Sequence, residues 1–156
     1  MLVTGRLTLL KFLAYTVAQV IGAFLAACFV FILYLDAMKN YADGMYSMDL
    51  AGIFATYPNK NLSVFGGFFD QLLATALLVV LVMAVNDKQN DHQLSHCSVA
   101  LLVGLTITAI GCAFAYNAGY AINPARDFGP RLFTLLAGWG GQTFSAGNYF
   151  FWIPVV

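Results

Sequence analysis

Gly119-Tyr120-Ala121-Ile122-Asn123-Pro124-Ala125-Arg126-Asp127-Phe128-Gly129-Pro130-Arg131 is the stretch that decides the fold. It follows a long apolar run, where the loop of a soluble protein would be out of place. Asn123 is a helix-capping residue, and Pro124 suits the first helical position, where its missing N–H costs nothing. A helix is therefore expected to begin at Asn123, at membrane depth, with its positive end buried. Irregular backbone at that depth persists only where protein encloses it or where it lines a water-filled cavity. A buried helix N-terminus followed at once by Arg126 points to a pore for uncharged polar solutes.

The rest of the chain fits a lipid environment. Of 156 residues, 61% are hydrophobic and 9% charged, against roughly 25% charged in soluble domains. A net charge of zero argues against nucleic-acid partners. Cys28, Cys97 and Cys112 have spacings of neither a zinc site nor a disulfide framework, and are expected as small buried apolar residues. A spanning helix needs about 20 mostly apolar residues. Spans are predicted at about 12–35, 66–85 and 97–116. Gly22, Ala23, Ala26 and Ala27 supply small residues for close helix approach. Residues 36–63 and 86–96 read as polar loops, 117–122 as extended backbone, and 123–137 as a re-entrant half-helix. Residues 138–147 read as a Gly-rich connection, and a further span opens at 149. The expected fold class is all-α membrane, a partial helical bundle.

The thirteen-residue stretch resembles the second signature loop of the aquaporin family, and Asp127 points to its glycerol-conducting branch, the aquaglyceroporins. The resemblance covers essentially the whole chain and implies an aquaporin-like right-handed bundle. Leu2-Val3-Thr4-Gly5-Arg6 resembles the segment that follows the family's first Asn-Pro-Ala loop. The chain is thus expected to lack that loop and the first two helices. Lys and Arg show no bias between the two sides, so orientation rests on the resemblance: residues 36–63 outside and 86–96 inside.

The family pattern assigns expected roles. Asn123, with Pro124 and Ala125, would cap the half-helix through its side-chain oxygen and donate into the pore through its NH2 group. The helix N-terminus, equivalent to about half a positive charge, would oppose cations and hydronium. Arg126 would form the narrowest part of the pore; a charge within the membrane is costly and by default functional. Tyr120 matches the aromatic of the constriction. Gly111 matches the position that holds His in strict water channels; without the family register it would read as a helix-packing glycine. Gly119, Tyr120, Ala121 and Ile122, held extended, would present a ladder of carbonyl acceptors. Gln71 matches a buried Glu or Gln that braces this loop's N–H groups. Asp127 and Arg131 are four apart, the spacing of a helical ion pair. In the family, that acid and basic pair marks glycerol channels, as do positions matching Tyr57, Pro154 and Val155.

Other residues carry less. Asp70 is either an interfacial residue or a partner for a loop donor. His92 and His96 are four apart, but a metal pair needs a helix and further ligands, so they read as solvated. Asn61-Leu62-Ser63 is an N-glycosylation triplet that lies too close to the membrane to favour use. The implied activity is passive conduction of glycerol, water and other small neutral solutes such as urea. The implied assembly is a homotetramer in the plasma membrane, with no cofactor and no metal. No paired carboxylates or nucleophile–base pair lie in the spans, as an enzyme would require. The alternatives are a non-conducting truncated subunit that co-assembles with complete channels, and a strict water channel.

Overall fold

A computed structural model describes residues 5, 7–90 and 94–155. Every regular element among them is helical. The chain forms two compact bodies: Met1–Thr56 with Asn123–Val156, and Tyr57–Ile122.

The first body is built on α1 (Leu9–Lys39), a 31-residue helix. It is longer than the predicted 12–35 because no Gly or Pro interrupts the sequence between Leu9 and Lys39 except Gly22, which a helix tolerates. At 1.5 Å per residue it is about 46 Å long, more than the hydrocarbon thickness of a bilayer. α2 (Met48–Ala51) is a single turn capped by Ser47, inside what the sequence suggested was loop. α5 (Pro124–Thr134) packs on α1. Gly129 makes this crossing possible. A Cβ there would lie 2.7 Å from the Val20 carbonyl oxygen and 3.1 Å from the Phe24 nitrogen, both backbone atoms.

The predicted half-helix 123–137 does not stay α-helical to its end. It widens into a π turn at Leu135–Trp139, and Gly138 leaves helical geometry with φ 132°. The Tyr46 ring occupies the place a side chain at 138 would need, 2.6 Å from an added Cβ. The bend seats Trp139 in an aromatic core with Tyr46, Phe31, Phe54 and Phe133, at centroid distances of 5.1 to 6.1 Å. Trp139 Nε1 donates to the Ser47 carbonyl at 2.8 Å, so its polar edge is satisfied as the ring is buried.

Part of the predicted Gly-rich connection is helical: α6 (Gln142–Tyr149) follows directly. It breaks at Ala146–Asn148, where Gly147 and Asn148 take left-handed φ of 62° and 56°. A 3-10 turn at Phe150–Val155 then stands where a further span was expected to open, with Pro154 buried inside it.

The second body pairs α3 (Val64–Val85) with α4 (His96–Ala118). Ser63 and Ser95 cap them through their hydroxyls, accepting from Gly66 and Ser98. The Ser63 hydroxyl of the glycosylation triplet is thus engaged in starting α3. α4 ends at Gly119, in the left-handed conformation that glycine adopts at little cost (φ 69°, ψ 18°).

Three helices, α1, α3 and α4, are long and apolar enough to cross a membrane. Only 6%, 17% and 11% of their most apolar windows are buried within the chain. Surfaces this apolar and uncovered call for lipid or other protein rather than water. The same exposure overturns one expectation for the cysteines. Cys97 and Cys112 lie on open faces of α4, and Cys28 is half-buried. Arg6 and His92 lie outside the described residues, as do residues 2–4; His96 is exposed at the start of α4.

Gly129→Ala should destabilise the protein in detergent by about 1–3 kcal/mol, because the extra methyl meets backbone on α1. Gly104→Ala, with no atom within 4 Å of the added Cβ, should leave the melting temperature unchanged or raise it. Equal melting temperatures for both variants would show that α1 and α5 do not approach so closely.

Candidate functional site

In the first body the site begins with Asn123. Its extended backbone (φ −149°, ψ 113°) turns the chain into α5. Its side-chain oxygen accepts from Ala125 N–H at 3.0 Å and Arg126 N–H at 3.4 Å. Pro124 has no N–H to satisfy. Asn123 therefore quiets two of the exposed donors at the helix start, and the NH2 end of its amide is what remains for a partner.

Asn123, Ala125 and Arg126 line a groove of about 610 Å³, opposite Gln19, Gly22 and Ala26 of α1. The α1 wall is small-residue and apolar except for Gln19. One wall thus offers polar donors near a helix N-terminus, and the other offers a surface for carbon. Gln19 is a residue not singled out from sequence, although a Gln inside an uncharged span is itself a signal.

Behind the groove lies a buried polar network. Asp127 and Arg131 are 0% and 1% exposed, with Arg131 Nε 3.0 Å from Asp127 Oδ2. Asp127 Oδ1 also accepts from Arg131 Nη2 at 3.0 Å, from Thr56 N–H at 2.7 Å and from the Thr56 hydroxyl. Arg131 further donates to the carbonyls of Thr56 and Thr143. The i, i+4 pair expected from spacing is present, and it also clamps two distant segments onto α5. Thr56 and Thr143 were not legible as partners, because they lie 71 and 12 residues from the atoms they bind. A buried ion pair is tolerable only when its remaining hydrogen-bonding capacity is met, as here.

In the second body, residues 119–122 are not extended, contrary to expectation. Gly119, Tyr120 and Ile122 have φ of 69°, 41° and 38°. Left-handed φ is strained for Tyr and more so for a β-branched Ile, and it persists only where surroundings hold it. Two contacts do so. Gln71 Oε1 accepts from Ile122 N–H at 3.0 Å. The Tyr120 ring lies against Gly111, where an added Cβ would stand 3.0 Å from the ring. Ala121 is buried between them in sequence. Asp70, left open by sequence, is buried and accepts from Asn117 Nδ2 at 2.7 Å and Gln71 Nε2 at 3.1 Å. Asn117, whose carbonyl accepts from Asn59 N–H at 2.8 Å, was also missed. Of the other positions matched to the family pattern, Tyr57 is half-buried, Pro154 buried and Val155 exposed.

Asp127→Ala should destabilise by about 3–5 kcal/mol, because it strands the Arg131 guanidinium in a dry interior. The double variant Asp127→Ala/Arg131→Leu should be less destabilised than Asp127→Ala alone. A double variant worse than the single, in the same unfolding assay, would mean the pair is not dry.

The whole sequence, residues 1–156, matches the family described as Major intrinsic protein. The chain is 42% identical to "Aquaporin-10" of Homo sapiens over 160 aligned positions, covering 100% of this chain and 53% of that one. It is 41% identical to "Aquaglyceroporin-2" of Rhizophagus irregularis, covering 91% of this chain and 46% of that one. Among solved structures, the aquaglyceroporin from Plasmodium falciparum matches with a TM-score of 0.86 at 33% identity, over 97% of this chain and 60% of that one. The chain spans about half the length of the curated relatives it matches. With three spanning-length apolar helices and a family match over its full length, this is a multi-pass membrane protein that belongs to the Major intrinsic protein family.

Proposed function

We propose that the chain is the pore-forming portion of a passive channel for glycerol, water and small neutral solutes such as urea. The observation that carries this is the start of α5. The Asn123 oxygen is bound to its own helix, and Arg126 stands beside it at a groove whose facing wall is mostly apolar. A carbohydrate-like solute has hydroxyls on one side and C–H on the other. Asn123 and Arg126 would take the hydroxyls, and the small-residue face of α1 would take the carbons. Cations would meet a helix N-terminus and a guanidinium, both repulsive in a low-dielectric setting. The family pattern assigns the pore's width to Tyr120 and Gly111 and a path for hydroxyls to the backbone carbonyls of Gly119 to Ile122. Asp127, Arg131 and Gln71 would support this lining rather than touch solute. Two of the relatives bear the name aquaglyceroporin, which agrees with the solute class.

Conduction of this kind makes and breaks no covalent bond, so the protein would be a transporter and not an enzyme. We place it in the plasma membrane as a homotetramer with one pore per subunit, and its functional unit is the partial aquaporin-like domain of residues 1–156. Gly111 disfavours a strict water channel, and no observation favours a non-conducting subunit.

Vesicles carrying the protein and challenged with a glycerol gradient should re-swell faster than empty vesicles, as read by light scattering. Replacing Asn123 and Arg126 together by Ala should return the rate to the empty-vesicle level. Unchanged flux in that variant, at equal incorporation, would refute the assignment of the pore.

Gly111→His should reduce glycerol flux by more than it reduces water flux, because a side chain at 111 meets the Tyr120 ring. Equal reduction of both fluxes would place Gly111 away from the constriction.

A further inference from the structure

We infer that Asp70 is a positioning residue whose task is to fix which end of the Gln71 amide faces the backbone at Ile122. A glutamine amide has a donor end and an acceptor end of nearly the same shape, and rotation about its last torsion exchanges them. Only the acceptor end can receive the Ile122 N–H. The two residues are adjacent on α3 and both are buried, 6% and 5% exposed. Asp70 Oδ2, an acceptor, takes Gln71 Nε2 at 3.1 Å, which leaves Gln71 Oε1 to accept from Ile122 N–H at 3.0 Å. Asp70 Oδ1 takes Asn117 Nδ2 at 2.7 Å. One pair of neighbouring side chains thus holds both ends of residues 117–122, including the left-handed Ile122. A carboxylate at 71 would need no such partner, since both its oxygens accept. A glutamine there does, and Asp70 supplies it. The consequence for solute flux rests on the channel proposal; the orientation of Gln71 does not.

The test exchanges the two functional groups. Asp70→Asn keeps the size but leaves one acceptor for two NH2 groups, those of Gln71 and Asn117, so Gln71 is no longer held in a single orientation. Gln71→Glu alone sets acceptor against acceptor. In Asp70→Asn/Gln71→Glu, the Asn NH2 donates to one Glu oxygen and the other oxygen receives Ile122 N–H. Amide hydrogen exchange of the full chain in nanodiscs, read on the peptide containing Ile122, should rise ~10- to 100-fold in each single variant, the loss expected when a buried group goes unsatisfied. It should fall back toward the parent in the double variant. A double variant as exchangeable as the singles, or an unchanged Asp70→Asn, would overturn the inference. Should Asp70→Asn fail to fold, Gln71→Glu against the double variant makes the same comparison, and a double variant no better protected overturns it. Glycerol flux, read in vesicles carrying the same variants, should run in the opposite order, lowered in each single variant and recovered toward the parent in the double. A parent protein without glycerol flux would count against the channel proposal alone, because the exchange order decides the role of Asp70.

Discussion

The first N–H groups of a helix have no intrahelical partner and must find one elsewhere. Asn123 and Pro124 do this at the head of α5. The amide oxygen accepts from two N–H groups, and proline removes a third donor at the outset. The Gln71 oxygen does the same for Ile122 just upstream in the chain. In both places a side-chain amide oxygen is matched to backbone N–H groups that no intrahelical bond reaches. The turn is irregular, and the side chain that accepts from Ile122 N–H reaches it from 51 residues away in sequence. That allows strained φ at Tyr120 and Ile122 to persist.

The same demand shapes the Asp127–Arg131 network. An arginine and an aspartate sealed from solvent would be costly on their own. Thr56 supplies a backbone N–H, a hydroxyl and a carbonyl, and Thr143 a further carbonyl. The pair thereby fastens a loop before α3 and a turn of α6 to α5. Charge here serves to join segments distant in sequence, which apolar contact would do with less directional precision.

Close approach of backbones is the complementary constraint. Helices in lipid gain little from hydrophobic exclusion, so they associate by packing and by small residues. Gly129 lets α5 lie on the Val20–Phe24 stretch of α1, and Gly138 lets the chain turn under the Tyr46 ring. Gly111 gives the Tyr120 ring its place on α4. Each of these glycines has a named occupant of the space its side chain would fill.

Sequence by itself determined the solvent, the number of long helices, the start of α5 at Asn123 and the Asp127–Arg131 spacing. These follow from local rules: apolar run length, capping chemistry and the helical period. It also pointed to Gln71 and Gly111 through their register in a known pattern. It did not determine the left-handed backbone at 120 and 122, the π turn at 135–139, or the partners Thr56, Thr143, Asp70 and Asn117. Those depend on contacts between residues that are far apart along the chain, where φ is set by what holds a residue rather than by its own preference. Local chemistry told which groups had to be satisfied; only the tertiary structure decided which distant atoms satisfied them.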